Sequence, residues 1–316
     1  MTATTKASKK SVAYLGPKGT FCEAATLSQA DLADLKLSPQ RSISDVFNAV
    51  SSGDFKYGVV PLENTIEGSV DVTLDNLAFD ADVQIQREID HDISLCIATR
   101  NGVKKKDIQI IVSHPHALAQ CQAYFKNAFP KATTRTYDST ASAAQYVSKS
   151  SDKDLAVICA LETAKQYDLE IIDSKIQDKA KNQTRFVLLG KGIPKPTGHD
   201  KTSIVCFQRS NRPGSLLAIL SEFAARNIDL TKLESRPTKE GLGQYCFLID
   251  FIGHVADDLV SDCLQHVRTY HADVKFLGSY PVAGDAGKEK RANTSKAWKD
   301  TKKWLSELRA NIEEDK

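Results

Sequence analysis

The chain has 316 residues, 41% hydrophobic and 26% charged, with 42 basic against 40 acidic side chains. That length suits about two domains, and the balanced charge gives no footprint for a nucleic-acid surface. No apolar run reaches the roughly 20 residues that span a bilayer, and the opening MTATTKASKK lacks the apolar stretch of a secretory signal, so no membrane association and a cytoplasmic location are expected.

The pattern begins with a strand at Val12 to Leu15, after a short leader over residues 1–11. Helical spacing follows from Phe21 to Leu32, and Val46, Phe47 and Val50 share one face of a further helix with Ser44 as its cap. Tyr57 to Val60 reads as a buried strand closed by Pro61, and Val70 to Leu77 as a helix. Strands are predicted at 84–89, 93–98 and 108–113, then a helix at 141–147, a strand at 155–159 and a helix at 161–167. Ile171-Ile172 and Arg185 to Leu189 complete the run. Strands alternating with helices indicate α/β architecture, in which ligands gather where strands end and helices begin.

Residues 191–200 read as a linker, since Gly190 to Asp200 holds two prolines and three glycines. Beyond it come a strand at 202–208, a helix at 214–227 with Leu216, Leu217, Leu220 and Phe223 as its stripe, strands at 230–236 and 244–251, a helix at 257–269 and a strand at 274–280. This β-α-β-β-α-β order is the ferredoxin-like pattern, giving a domain over residues 201–281 behind one over 12–190. The tail, 282–316, is highly charged; Asp300 to Ile312 could form an amphipathic helix or stay a solvated tail.

The seven cysteines are scattered and none forms a CxxC pair, which suits free buried thiols in a reducing compartment. No HExxH, GxGxxG, P-loop or GxSxG pattern is present, and no metal or cofactor is expected. Four segments could carry chemistry. Gly16 to Phe21 is a glycine-bearing turn before a helix, where Gly19 could open room for an anion and Lys18 could attract a carboxylate. Pro61 to Val70 crowds polar side chains at a strand end, as a cap or a binding surface. Ser113-His114-Pro115-His116 sits at another strand end and could simply start a helix, although either imidazole could titrate near neutral pH. Asn182-Gln183-Thr184-Arg185-Phe186 precedes a strand, and by itself is a polar loop.

Taken together, these segments resemble prephenate dehydratase. The family's GPxGTF run stands at Gly16 to Phe21, its PLENxxxG segment at Pro61 to Gly68, its SHPxALxQC segment at Ser113 to Cys121, its STAxAA segment at Ser139 to Ala144, and its Thr-Arg-Phe triplet at Thr184 to Phe186. The resemblance covers about Val12 to Tyr280. Cys22, where serine or threonine is frequent, and Ile158 to Leu161 depart from it. The C-terminal part is similar to the family's ACT module through Asn211, Arg212, Pro213, Gly214, Ser215 and Leu216, and through Glu234, Ser235, Arg236 and Pro237.

The resemblance implies a two-lobed, periplasmic-binding-protein-like catalytic domain and a monofunctional enzyme without an attached chorismate mutase. It implies decarboxylating dehydration of prephenate with no cofactor, and L-phenylalanine as effector at an interface of a homodimer or homotetramer. Thr184 is the expected donor to the leaving oxygen, with His114 its rival. Arg185 is expected either to clamp a carboxylate or to pair with an acidic side chain, and Glu63 to orient a donor. Gly19, Thr20, Asn64, Thr65, Gly68, Ser113, Gln120 and Thr140 are expected around the substrate. Arogenate dehydration and a non-catalytic small-molecule sensor are the alternatives.

Overall fold

A computed structural model describes residues 8–179, 181–209, 212–239, 241, 243–283, 300, 301 and 303–310. The chain divides into two compact units, one of residues up to Val83 with Ile89–Lys191, the other of Gln84–Glu88 with residues from Gly192 onward. Among the described residues no helix is long and apolar enough to cross a membrane.

The first unit holds two α/β lobes. One sheet runs in the order Lys36–Gln40, Ser8–Leu15, Phe55–Asn64, Gln183–Gly190, Gln84–Asp92, and the short Gly68–Ser69 strand pairs with Phe55–Asn64. The other runs Leu169–Ser174, Leu95–Arg100, Leu155–Ala160, Ile110–Ser113, Thr133–Thr136. Each lobe has its own apolar core. Val12, Tyr14, Val59, Phe186 and Leu188 cluster in the first lobe. In the second, Ile97, Ile111, Ala156 and Ile158 lie beneath one face of the sheet, and Val112, Ala143, Ala144 and Val157 beneath the other. Strands buried on both faces read as continuous apolar runs, as at Leu155–Ala160, whose six residues are all buried.

Several local expectations change. Helix 21–32 is two helices, Phe21–Leu27 and Ala30–Ala33, since the chain leaves helical geometry at Gln29. The third helix, Ile43–Ser51, is capped by Ser42, whose hydroxyl accepts from Asp45 N–H, and not by Ser44. Pro61 does not end its strand. Phe55–Asn64 runs through it because the partner strand shifts register between Arg185 and Phe186, opposite Pro61. Proline cannot donate to a ladder, and an irregularity in the pairing accommodates it. Strands Lys36–Gln40 and Thr133–Thr136 were not foreseen: each is short and largely polar.

The second unit contains a four-stranded antiparallel sheet in the order Leu230–Pro237, Tyr245–Ile252, Asp200–Gln208, Ala272–Pro281. Helices Ser215–Ala225 and Asp258–His266 complete the β-α-β-β-α-β order. Ile219 and Phe223 pack with Ile204, Ile249 and Phe251, and Leu216 joins them, whereas Leu217 is 68% exposed. At 100° per residue, positions 216, 219 and 223 share a face that 217 leaves. In the tail, residues 300, 301 and 303–309 are helical and Trp304, Leu305 and Leu308 are exposed. Trp298 and Ile312 lie outside the described residues.

The segment Gln84–Glu88 is held tightly in this unit. Gly278, at φ +147°, lets the backbone of Ile85 come so close that a Cβ would lie 2.5 Å from its carbonyl oxygen. Beside it the Lys201 ammonium meets the Glu88 carboxylate at 2.8 Å, the two side chains being 9% and 3% exposed. The other Glu88 oxygen accepts the Ala283 N–H. Removing one partner of such a pair leaves a buried charge, so Lys201→Ala is expected to lower unfolding free energy by about 3–5 kcal/mol. Urea unfolding measures this; a loss under about 1 kcal/mol, the size usual for exposed pairs, would show that the charges are not truly desolvated.

Candidate active site

A cavity of about 460 Å³ lies between the two lobes of the first unit. Its first-lobe wall comes from Thr20, Phe21, Asn64, Glu67, Gly68, Asn182, Thr184 and Phe186. His114, His116, Gln120, Asp138, Ser139 and Thr140 face it from the second lobe. All five motif segments therefore contribute lining residues, Gly16 to Phe21 through Thr20 and Phe21. Among the described lining residues there is no lysine or arginine, and no cluster of described residues could hold a metal ion.

Strand pairing sets the first wall. Thr184 is opposite Asn64, and Arg185 opposite Glu63. Side chains alternate along a strand, so Thr184 and Phe186 line the cavity while Arg185 does not. Arg185 instead pairs with Glu63 at 2.9 Å, and neither lines the cavity. Arg185 thus stands within an ion pair with Glu63, one of the two arrangements the sequence leaves open for it.

The Asn64 amide nitrogen donates to Thr184 Oγ1 at 2.8 Å, to Asn182 Oδ1 at 2.9 Å and to the Gln183 carbonyl at 3.2 Å. Its Oδ1 accepts the N–H of Ile66 and of Glu67. Thr184, only 8% exposed, thus receives a hydrogen bond on its oxygen and keeps its own hydrogen to donate. Asn182 passes its amide on to Gln120 Oε1 at 2.8 Å, and Gln120 Nε2 donates to Glu67 Oε1 at 3.1 Å. The sequence reading placed neither Glu67 nor Asn182 among the site residues. Glu67 sits inside the PLENxxxG segment and Asn182 heads the Asn182 to Phe186 segment, which were the available signals; the contact of Asn182 with a residue 118 positions away had none.

His114 caps helix Pro115–Ala119, its Nδ1 accepting the His116 N–H at 3.4 Å. Burial, with His116 beside it, lowers its pKa below the ordinary 6.5 against the pull of Glu67 and Asp138. The neutral imidazole then prevails at neutral pH, with Nε2 carrying the hydrogen. Thr140 opens helix Thr140–Lys149 behind a reciprocal Ser139–Ser142 cap. Gly68 takes φ +83°, a left-handed turn that glycine adopts freely. Cys22 lies at the cavity wall as a thiol, its pKa pushed up to about 12 by burial.

Three expected contact residues are tied elsewhere. Ser113 is fully buried and donates to the Ile158 carbonyl at 2.6 Å. Thr65 Oγ1 accepts the Gln183 N–H, fixing the same strand pair. Gly19 donates its N–H to Glu23 at 2.6 Å, and its carbonyl accepts the Thr163 hydroxyl, so its donor faces its own helix and not the cavity. None of the three lines the cavity.

In the second unit, a smaller cavity of about 380 Å³ is lined by Arg212, Gly214, Ser215, Leu216, Leu217 and Tyr245, among others. Gly214 precedes the helix at φ +87°. Glu234 to Pro237 form part of the sheet's edge strand and do not line this cavity; Glu234 pairs with Lys232 and Arg236. Pro213 is exposed, and Asn211 lies outside the described residues.

The family model for prephenate dehydratase matches residues 12–193, and that for the ACT domain residues 202–265. A prephenate dehydratase of Mycolicibacterium vanbaalenii is 41% identical, over 87% of this chain and 92% of its own. One of Methanocaldococcus jannaschii is 40% identical, over 86% of this chain and 98% of its own. The crystal structure of a prephenate dehydratase from Arthrobacter aurescens in complex with L-Phe superposes with a TM-score of 0.81 at 34% identity, over 92% of this chain and 98% of that one.

Proposed function

The chain belongs to the prephenate dehydratase family, and from that premise we propose that it converts prephenate to phenylpyruvate in L-phenylalanine biosynthesis, under feedback control by L-phenylalanine. The observation that carries the chemistry is the Thr184 hydroxyl at the cavity wall, its oxygen occupied by Asn64 and its hydrogen free.

In the reaction the bond from the ring to its carboxylate breaks and the carboxylate leaves as CO2. The freed electron pair moves through the ring, expels the ring hydroxyl opposite, and makes the ring aromatic. The departing oxygen gathers charge, is stabilised by hydrogen bonding, and takes up one proton, supplied in the end by solvent, to become water. Electrons are thus conserved within the substrate, and the residues need only orient it and stabilise the leaving oxygen. A hydroxyl whose oxygen already accepts a charge-free amide hydrogen bond is aimed for that task, and the hydrogen bond it receives polarises it further. His114, held neutral, serves as an Nε2–H donor and not as an imidazolium acid. With no lysine or arginine among the described lining residues, the substrate's carboxylates meet neutral donors such as Thr140 and His114.

Thr184→Ala is expected to lower kcat by about 10²–10³-fold, the scale seen when a preorganised donor is removed, and Thr184→Ser to recover most of it. Steady-state rates on prephenate and on arogenate with these variants check this and the substrate preference together. Full turnover by Thr184→Ala would transfer the donor role to His114.

Control by phenylalanine rests on the ACT match and on the L-Phe complex of the Arthrobacter aurescens relative. The edge strand Leu230–Pro237, with Leu233 exposed, and the exposed Leu217 and Tyr245 support pairing of C-terminal units from two copies, as a homodimer or a dimer of dimers. Phenylalanine would inhibit by binding the less active state more tightly. Gly214→Val, which forces a branched residue into a left-handed turn, should abolish the heat of phenylalanine binding in calorimetry. Undiminished binding would remove the Gly214 turn from the effector site.

A further inference from the structure

We infer that Glu67 is a positioning residue that clasps the two lobes over the cavity and, through a file of three side-chain amides, sets the direction in which Thr184 offers its hydrogen. The inference rests on the dehydratase reading for its effect on turnover, though not for the clasp itself.

The donors and acceptors along the file admit one arrangement. A carboxylate only accepts, so Gln120 turns its amide nitrogen to Glu67 Oε1, at 3.1 Å. Its oxygen is left for Asn182, whose nitrogen donates to it at 2.8 Å. Asn182 then has only its own oxygen for Asn64, and accepts at 2.9 Å. At the other end, the backbone N–H groups of Ile66 and Glu67 fix the Asn64 oxygen, which turns the Asn64 nitrogen toward Asn182 and Thr184. Both ends therefore demand the same orientation of every amide. A reversal at Gln120 would set its oxygen against the Glu67 carboxylate and its nitrogen against that of Asn182.

The file also crosses the cavity. Glu67, Asn64, Asn182 and Thr184 belong to the first wall; Gln120 ends helix Pro115–Ala119 on the second. The other Glu67 oxygen lies 3.4 Å from His116 Nδ1 on that same helix. His114 and Asp138 are the remaining titratable groups lining the cavity from this side. The second lobe is thus held to one carboxylate by two residues of one short segment. The Glu67 side chain is 34% exposed, so the ion pair itself adds little stability. What Glu67 supplies is orientation, and a small displacement of a reacting group is enough to lower a rate about 100-fold.

Glu67→Ala, Glu67→Gln, Gln120→Ala and the double variant Glu67→Ala with Gln120→Ala test this on the full chain. Glu67→Ala should keep the wild-type thermal midpoint and lose about 10- to 100-fold in kcat, with a smaller change in KM. Glu67→Gln keeps an acceptor oxygen for Gln120 and should restore most of the loss. The double variant should be no slower than Gln120→Ala, since both act through one file. Hydrogen exchange of amides in 62–70 and 115–124 should quicken in Glu67→Ala and return in Glu67→Gln. Because exchange needs no turnover, a wild-type chain inactive on prephenate would defeat the dehydratase reading and leave the clasp still tested. Wild-type kcat and exchange in Glu67→Ala, a Glu67→Gln as slow as Glu67→Ala, or multiplicative losses in the double variant would each overturn the inference.

Discussion

Asn64 shares its two amide hydrogens among three acceptors, and its oxygen accepts two backbone N–H groups. It stands where a buried strand ends, opposite Thr184 on the neighbouring strand. A half-buried amide with both ends satisfied is held in one orientation, and here that orientation is transmitted to a hydroxyl. Backbone pairing between Phe55–Asn64 and Gln183–Gly190 brings residues about 120 apart in the chain within one hydrogen bond. Turn residues Ile66 and Glu67 close on the same side chain, so the turn and the donor are fixed by one group.

Alternation along the Gln183–Gly190 strand separates two jobs that adjacent residues perform. Thr184 faces the cavity; Arg185 faces Glu63 across the pair of strands. The cation that the substrate's charge would invite is committed to the fold, and the cavity is lined by neutral donors, two carboxylates and two imidazoles. Such a site works by aimed hydrogen bonds more than by net charge. The low pKa of His114 fits this: burial that keeps the ring neutral also keeps it a directional donor.

Much of this was legible in the chain. Apolar runs and turn residues foretold the alternating elements and the split βαβ order that follows them. Two of the site segments, Pro61 to Val70 and Ser113 to His116, stand out as polar clusters at strand ends, and the others through their resemblance to the family's motifs. What the chain could not disclose is which polar group a neighbour would claim. Ser113 looks like a ligand donor in sequence, but the Ile158 carbonyl takes its hydrogen, while the Thr65 oxygen accepts the Gln183 N–H and serves the strand pair. Asn182 looks like a loop residue, but its partners are 118 and 62 positions away. Short polar strands such as Thr133–Thr136 carry no apolar period, so their pairing is imposed by the sheet and not by their own residues.

The dependence of kcat on pH at saturating prephenate tests the central claim most directly, because it separates a titrating imidazolium acid from a neutral hydrogen-bond donor. An imidazolium at His114 would be available only below a pKa that itself lies under 6.5. With that group as the acid, kcat would fall about tenfold for each unit above roughly pH 6.5. The Thr184 hydroxyl does not titrate in this range, so kcat is expected to stay level from about pH 6.5 to 8. A steady decline across that window would contradict the assignment of the leaving-group donor to Thr184.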